Sequence, residues 1–294
     1  MGRKKTLFSG CGVALVTPFR QGEIDYASLG DMIDFQISSG TDSIVILGTT
    51  GESPTVTEDE RERLIPFAKE RIASKVPLIV GCGSNCTDNA VRLSKRAEKL
   101  GADGILTVTP YYNKASGAGL TEHYKKIADC VSLPVIIYNV PSRTGVNVPM
   151  SVYNSLSKVD NIVAVKEAGG DISYDCELIS RFGDYFDIYS GCDDITVPML
   201  SLGAIGVISV AANIVPSRMH QMCYEFFSGN MKKSIDLQYE LMPLIKELFA
   251  EVNPIPVKTA LSIIGLCSDE FRLPMCRSTR KEQIHKILKK YSLI

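Results

Sequence analysis

Eight short runs rich in Val and Ile constrain this chain more than any other feature; they lie at residues 13–17, 43–47, 77–81, 104–109, 134–139, 162–167, 186–190 and 206–210. Each is too short for a helix and is bounded by Gly, Pro or polar residues, which marks strands. The segments between them carry helical spacing. Residues 26–39 put Leu29, Ile33 and Ile37 on one face. Residues 58–73 do the same with Leu64, Ile65, Ala68 and Ile72, and Thr57 is the expected N-cap. Residues 87–100 and 119–131 read alike. Strand then helix, repeated every 20 to 35 residues or so, is the βα unit of a parallel sheet. The expected fold is α/β, a (β/α)8 TIM barrel. The open doubly wound alternative usually shows a Gly-rich phosphate loop after its first strand. Here the first run passes into Thr17-Pro18-Phe19-Arg20 instead.

Beyond Val210 the pattern is helical to the end, over residues 216–228, 231–252, 256–266 and 280–291. That is too little for a second α/β domain. We expect a barrel over 1–215 and a C-terminal helical extension over 216–294, packed on it as one structural unit.

The chain has 294 residues, with 45% hydrophobic and 22% charged, enough for a large core. Its 32 basic and 33 acidic residues nearly cancel, so no electrostatic grip on nucleic acid or an acidic membrane is expected. Nine scattered cysteines and no visible secretion signal point to a reduced, cytoplasmic protein. Cys82 and Cys86 lack further ligands at zinc-site spacing and read as small buried residues at a strand end. Residues 2–6 match the loose myristoylation pattern, but residues 1–8 read as a disordered lead-in to the first strand. No apolar stretch is long enough for a membrane span.

Barrel active sites lie at the C-terminal strand ends. Lys166 ends the run Ile162-Val163-Ala164-Val165. Alternation puts Ile162, Ala164 and Lys166 on one face, with Val163 and Val165 on the other, toward the helices. An inward lysine at the mouth is desolvated, and the neutral amine this favours attacks carbonyls. Taken alone, such a lysine could equally snorkel to water. Tyr138 aligns with Ile136 on the neighbouring strand, where its phenol can relay protons to a carbinolamine or simply bond a core carbonyl. Thr49 and Thr50 lie between two glycines, as an anion cradle or as a tight turn capping the next helix. Arg143 sits in the Pro/Gly-rich loop beyond Tyr138, where an arginine fork can clamp a carboxylate or stay solvated. His123, His220 and His285 all fall in expected helices, so neither a Ser–His–Asp triad nor a metal site is expected. Asp193-Asp194 suggests a metal but lacks partners. No cofactor is expected.

Six motifs in order carry a resemblance: GTTGES at 48–53, TVTPYYN at 107–113, YNVPSRTG at 138–145, KEA at 166–168, GVISV at 206–210 and NPIPVK at 253–258. From about Phe8 onward the chain resembles the dihydrodipicolinate synthase family, within the pyruvate-dependent aldolase superfamily that includes N-acetylneuraminate lyase. The resemblance implies that Lys166 forms an imine with pyruvate. It implies a proton relay of Thr49, Tyr138 and Tyr112, with Tyr112 supplied by a neighbouring subunit. It has Thr49 and Thr50 holding the pyruvate carboxylate and Arg143 holding that of L-aspartate-4-semialdehyde. Gly191 and the Ile208 carbonyl would line the pocket. The product would be 4-hydroxy-tetrahydrodipicolinate, on the route to diaminopimelate and lysine, and the assembly a homotetramer of two tight dimers.

Arg143 discriminates within the superfamily. Sialic-acid-cleaving members usually carry GSTGE in place of GTTGE and lack an arginine here. A lyase that cleaves a 2-keto-3-deoxy sugar acid or N-acetylneuraminate is the competing enzyme, and a catalytically silent binding barrel is the competing class. Two positions depart from the family. Cys192 follows Gly191, where Asp or Asn is common. The interface and effector positions are Tyr111, Ser53, Asn85, Asn89, Glu58 and Arg61. Lysine-inhibited members usually have an acid where this chain has Asn89, and histidines at the positions of Glu58 and Arg61. Insensitivity to lysine is therefore expected.

Overall fold

The computed structural model describes residues 6–294, so most of the expected lead-in, with nearly all of the myristoylation pattern, lies outside the described residues. The eight barrel strands are β1 (Gly10–Ala14), β2 (Ser43–Ile46), β3 (Leu78–Gly81), β4 (Gly104–Val108), β5 (Val135–Asn139), β6 (Ile162–Glu167), β7 (Asp187–Ser190) and β8 (Gly206–Ser209), with a separate two-stranded hairpin of Phe19–Arg20 and Glu23–Ile24. The barrel strands pair in sequence order, all parallel, and β8 closes on β1. Helices lie between successive strands: α1 (Tyr26–Ser38), α2 (Glu58–Ile72), α3 (Thr87–Lys99), α4 (Gly117–Asp129), α5 (Met150–Leu156), α6 (Ile172–Phe182) and α7 (Thr196–Leu202). The (β/α)8 barrel is therefore observed.

The strands form because alternate side chains fill two different spaces. Ala14, Val45, Ile79, Leu106, Ile136, Ala164, Tyr189 and Ile208 supply the barrel interior, one from each strand. Phe8 plugs the lower end, stacked on Tyr189 with ring centroids 4.4 Å apart. The intervening residues, such as Val13, Ile44, Val80, Ile137 and Val165, pack under the helices. Helix α2 starts as its sequence demands. Thr57 and Glu60 form a reciprocal capping box, and Leu64, Ile65, Ala68 and Ile72 are buried.

Two local expectations are corrected. The first strand runs over Gly10–Ala14, three residues ahead of the apolar run at 13–17. Val16 leaves the ladder for a bond to the Asn213 side chain, and the chain then turns at Pro18. Second, Ile162 packs toward the helices and Val163 toward the interior, the reverse of simple alternation. The β5–β6 register shifts between Val135 and Ile136, as a β-bulge does, so two successive residues face inward. Above the bulge alternation resumes, and Tyr138 pairs with Lys166.

After β8 come α8 (Pro216–Phe227), α9 (Met231–Leu248), α10 (Ile255–Ile263) and α11 (Lys281–Lys290). Leu241, Leu244, Leu248, Val257, Leu261, Ile284 and Leu288 join the same outer core as the barrel helices. Cys82 is buried, but Cys86 is exposed where it precedes α3, so only one of the pair packs as expected. Among the described residues no helix is long and apolar enough to cross a membrane.

Candidate active site

The candidate groups stand at the C-terminal strand ends. Tyr138 and Lys166 are 7% and 5% exposed, and the lysine Nζ lies 4.6 Å from the centre of the tyrosine ring. Burial drives the Lys166 pKa down from 10.5 to about 8, opposed by the charge of Asp193 and by Cys192, and assisted by Arg143. Burial likewise raises the Tyr138 phenol, while Arg143 and a hydrogen bond with Thr49 act against it. The result is an amine with a sizeable neutral fraction near pH 7 beside a phenol that keeps its proton.

Gly191 makes room for this lysine. A β-carbon there would sit 2.6 Å from Ala168 Cβ, 3.0 Å from the Glu167 carbonyl oxygen and 3.0 Å from Lys166 Cε. The first two atoms cannot move aside cheaply, so a bare backbone is required. Cys192 is half-buried, and burial pushes its thiol up to about 12, so it stands beside the amine as a neutral group.

The loop after β2 folds back on itself: Gly51 and Glu52 donate backbone hydrogen bonds to Gly48 and Thr49. Among the described residues the Thr49 and Thr50 backbone N–H groups have no acceptor. The cradle therefore keeps open donors as well as hydroxyls. The buried Thr50 hydroxyl accepts from Asn253 Nδ2 at 3.0 Å. Arg143 stands in the one-turn helix Pro141–Thr144, exposed, and its Nη2 donates to the Asn253 carbonyl at 3.1 Å. Asn253 thus ties the cradle to the clamp.

A cavity of about 460 Å³ opens over these groups. Thr49, Tyr138 and Arg143 line it, as do Ser53, Glu58, Arg61, Asn89 and Tyr111. Lys166, Thr50, Gly191 and Ile208 are not on its wall. Lys166 Nζ lies over the Tyr138 ring, Gly191 adjoins the Lys166 side chain, and Ile208 is in the barrel interior. Asn85 is also off the wall; its carbonyl accepts from Asn113 Nδ2 at 3.0 Å. Tyr112 is not brought to the site of its own chain: it is 91% exposed, with φ +71°.

Several contributors were not legible as such. Asp193, read as half of a weak metal pair, is a buried acid whose Oδ2 accepts from the Val210 and Ala211 N–H groups at 3.0 and 2.9 Å. It pins the end of β8 and faces the amine electrostatically. Lys258, in the NPIPVK motif, forms a fully buried ion pair with Glu52 at 2.6 Å. Glu167 accepts from Asn139 Nδ2 at 2.8 Å and the Gly169 N–H at 2.7 Å, joining the strand ends that bear Tyr138 and Lys166. Its burial pushes the carboxyl up to about 8.

The family model for the dihydrodipicolinate synthetase family matches residues 7–291. The chain belongs to this family. It is accordingly a lyase of the class I aldolase type. Curated family members align almost end to end. A 4-hydroxy-tetrahydrodipicolinate synthase from Lachnoclostridium phytofermentans is 51% identical over 96% of both chains. One from Alkaliphilus oremlandii is 46% identical over 98% of this chain and all of its own. The crystal structure of the dihydrodipicolinate synthase of Thermotoga maritima superposes with a TM-score of 0.96 at 44% identity, over 98% of this chain and 100% of that one.

Proposed function

We infer that this chain catalyses the 4-hydroxy-tetrahydrodipicolinate synthase reaction, the condensation of pyruvate with L-aspartate-4-semialdehyde. The observation that carries the reading is the buried amine of Lys166 against Tyr138. With a pKa of about 8, roughly a tenth of the amine is neutral at pH 7; at 10.5 the fraction would be some hundreds of times smaller.

The neutral Nζ adds to the pyruvate C2 carbonyl, and the oxygen takes a proton from Tyr138. Loss of water leaves the imine on Lys166. A methyl proton at C3 then departs, and the enamine carbon bonds to the aldehyde carbon. Finally the amine of the aldehyde substrate attacks C2 and displaces Lys166, which closes the ring and frees the enzyme. Thr49 is placed to pass protons to and from Tyr138 through its hydrogen bond. The open N–H groups of Thr49 and Thr50 suit the pyruvate carboxylate. Arg143, steadied on Asn253, suits the carboxylate of the second substrate. Gly191 leaves room for the Lys166 side chain, and the Ile208 carbonyl is assigned to the lysine end of the site, off the cavity wall.

Tyr112 serves the neighbouring subunit, which its exposure in the single chain supports. The working enzyme is then a cytoplasmic homotetramer built from two tight dimers. The test is the condensation assay on wild type and Arg143→Ala, with N-acetylmannosamine and glyceraldehyde as competing aldehydes. Losing the clamp should cost about 2–5 kcal/mol in kcat/KM, because a bound carboxylate is left unpaired, while borohydride still traps pyruvate on Lys166. An Arg143→Ala enzyme with wild-type kcat/KM, or preference for a sugar aldehyde, would overturn this assignment.

A further inference from the structure

We propose that Asp193 is a positioning residue for the reactive amine, its buried carboxylate serving as the fixed counter-charge of the protonated imine on Lys166; this role rests on the imine chemistry inferred above. Asp193 opens the short turn Asp193–Ile195 after β7 and is 1% exposed. Its Oδ2 is held by the Val210 and Ala211 N–H groups, so the carboxylate is locked between the ends of β7 and β8. Gln238 Nε2 donates to the Asp193 carbonyl at 3.0 Å and fixes the turn from α9. The other carboxylate oxygen, Oδ1, is buried with no hydrogen-bond partner among the described residues. A buried carboxylate oxygen left open in this way is costly unless a positive charge faces it.

Lys166 is that charge. Among the neighbouring groups Asp193 acts on Lys166 most strongly, and Lys166, the Ser209 hydroxyl and the two N–H groups keep Asp193 charged against its burial. The other groups facing the amine do not replace it. Cys192 stands where Asp or Asn is common in the family, and burial pushes its thiol up to about 12, so it is neutral. Arg143 has the wrong sign, and Tyr138 keeps its proton. Glu167 follows Lys166 in the strand, so its side chain takes the opposite face, and burial pushes it up to about 8. Asp194 is exposed. From β1 and α8 the thiols of Cys11 and Cys223 face Asp193, and burial keeps both neutral. An ammonium and a keto acid become a protonated imine and one water, so the nitrogen carries one positive charge before and after. Starting from the neutral amine, a proton is taken up and a new positive charge appears beside Asp193. The carboxylate therefore leaves imine formation from the ammonium nearly unchanged and favours it from the neutral amine. It also supports the cationic nitrogen that draws electrons when the C3 proton departs.

The test is full-length Asp193→Asn, which keeps an oxygen for the two N–H groups and removes the charge. Adduct trapped with cyanoborohydride is measured against pyruvate concentration at pH 6 and pH 9, on wild type and variant. The concentration giving half the adduct should rise about threefold or more at pH 9 and change by less than about twofold at pH 6, and the midpoint of trapping rate against pH should move about half a unit or more toward acid. A packing defect alone would weaken the adduct equally at both pH values. An equal loss at both, no loss at pH 9, or an unmoved midpoint would overturn the proposal. If the Asn variant does not fold, Asp193→Glu and Asp193→Gln, alike in size, give the same comparison. The Glu variant should then bind pyruvate more tightly than the Gln variant at pH 9, and equal affinity would overturn the proposal. Wild type that traps no pyruvate would instead refute the imine itself, so the two failures are distinct.

Discussion

Replacing Lys166 with methionine isolates what burial of the amine costs the fold. Methionine keeps an unbranched chain of similar length and removes only the ionisable group. The amine moves from an ordinary pKa of 10.5 to about 8 on folding. The unfolded chain therefore holds the proton more tightly than the native one. The native state is penalised in full at pH values below about 8. The penalty shrinks as pH rises through 8 and is gone above 10.5. At about 1.4 kcal/mol per pKa unit it amounts to roughly 3 kcal/mol at pH 7 and roughly 2 kcal/mol at pH 9. Lys166→Met should gain about that much stability while losing all pyruvate adduct. The assay is urea unfolding of both proteins at pH 7 and pH 9, at one fixed protein concentration because assembly adds its own stability. A variant no more stable than wild type at pH 7, or a gap that widens with pH, would refute the reasoning.

Other outcomes follow from the same geometry. Borohydride trapping of pyruvate should speed up with pH and level off above an apparent pKa near 8; a profile still climbing steeply at pH 10 would mean an unburied amine. Millimolar lysine should leave the initial rate unchanged, since Asn89 offers its ammonium no full charge and Arg61 repels it; a clear inhibition curve in the condensation assay would contradict this. Lys258→Met should destabilise by about 3–5 kcal/mol, because Glu52, 2% exposed, loses its partner. Adding Glu52→Gln should restore most of that loss in urea unfolding; additive losses would show that the two do not act as a pair.

The barrel was readable because its cause is local. Each strand alternates between two apolar spaces, and each helix repeats one apolar face. The errors arose where that periodicity is broken. Gly10 and Gly12 are weak strand residues on propensity, yet both stand in the β1 ladder because Gly206 and Ile208 pair with them across the barrel closure. The bulge at Val163 is set by the register of β5 against β6, which no single strand encodes. Lys166 and Tyr138 were readable because both lie above the bulge, where alternation holds.

Part of what was hidden joins residues far apart in the chain. Thr50 meets Asn253 across 203 positions, and Lys258 meets Glu52 across 206. NPIPVK stood out as a motif, but its role appears only when α10 folds over the β2 loop. The amine and the phenol are placed by adjacent strands, which the closed sheet makes rigid. The cradle and the clamp are placed by loops, and loops need an external tie. Asn253 supplies it by holding Thr50 with its side chain and Arg143 with its carbonyl, and the buried Lys258–Glu52 pair fixes the ground on which both stand. The segment from Asn253 to Lys258 therefore holds the Thr49–Thr50 loop and Arg143 in register with Lys166 and Tyr138. In the proposed reaction this segment bears on where both substrates' carboxylates would sit.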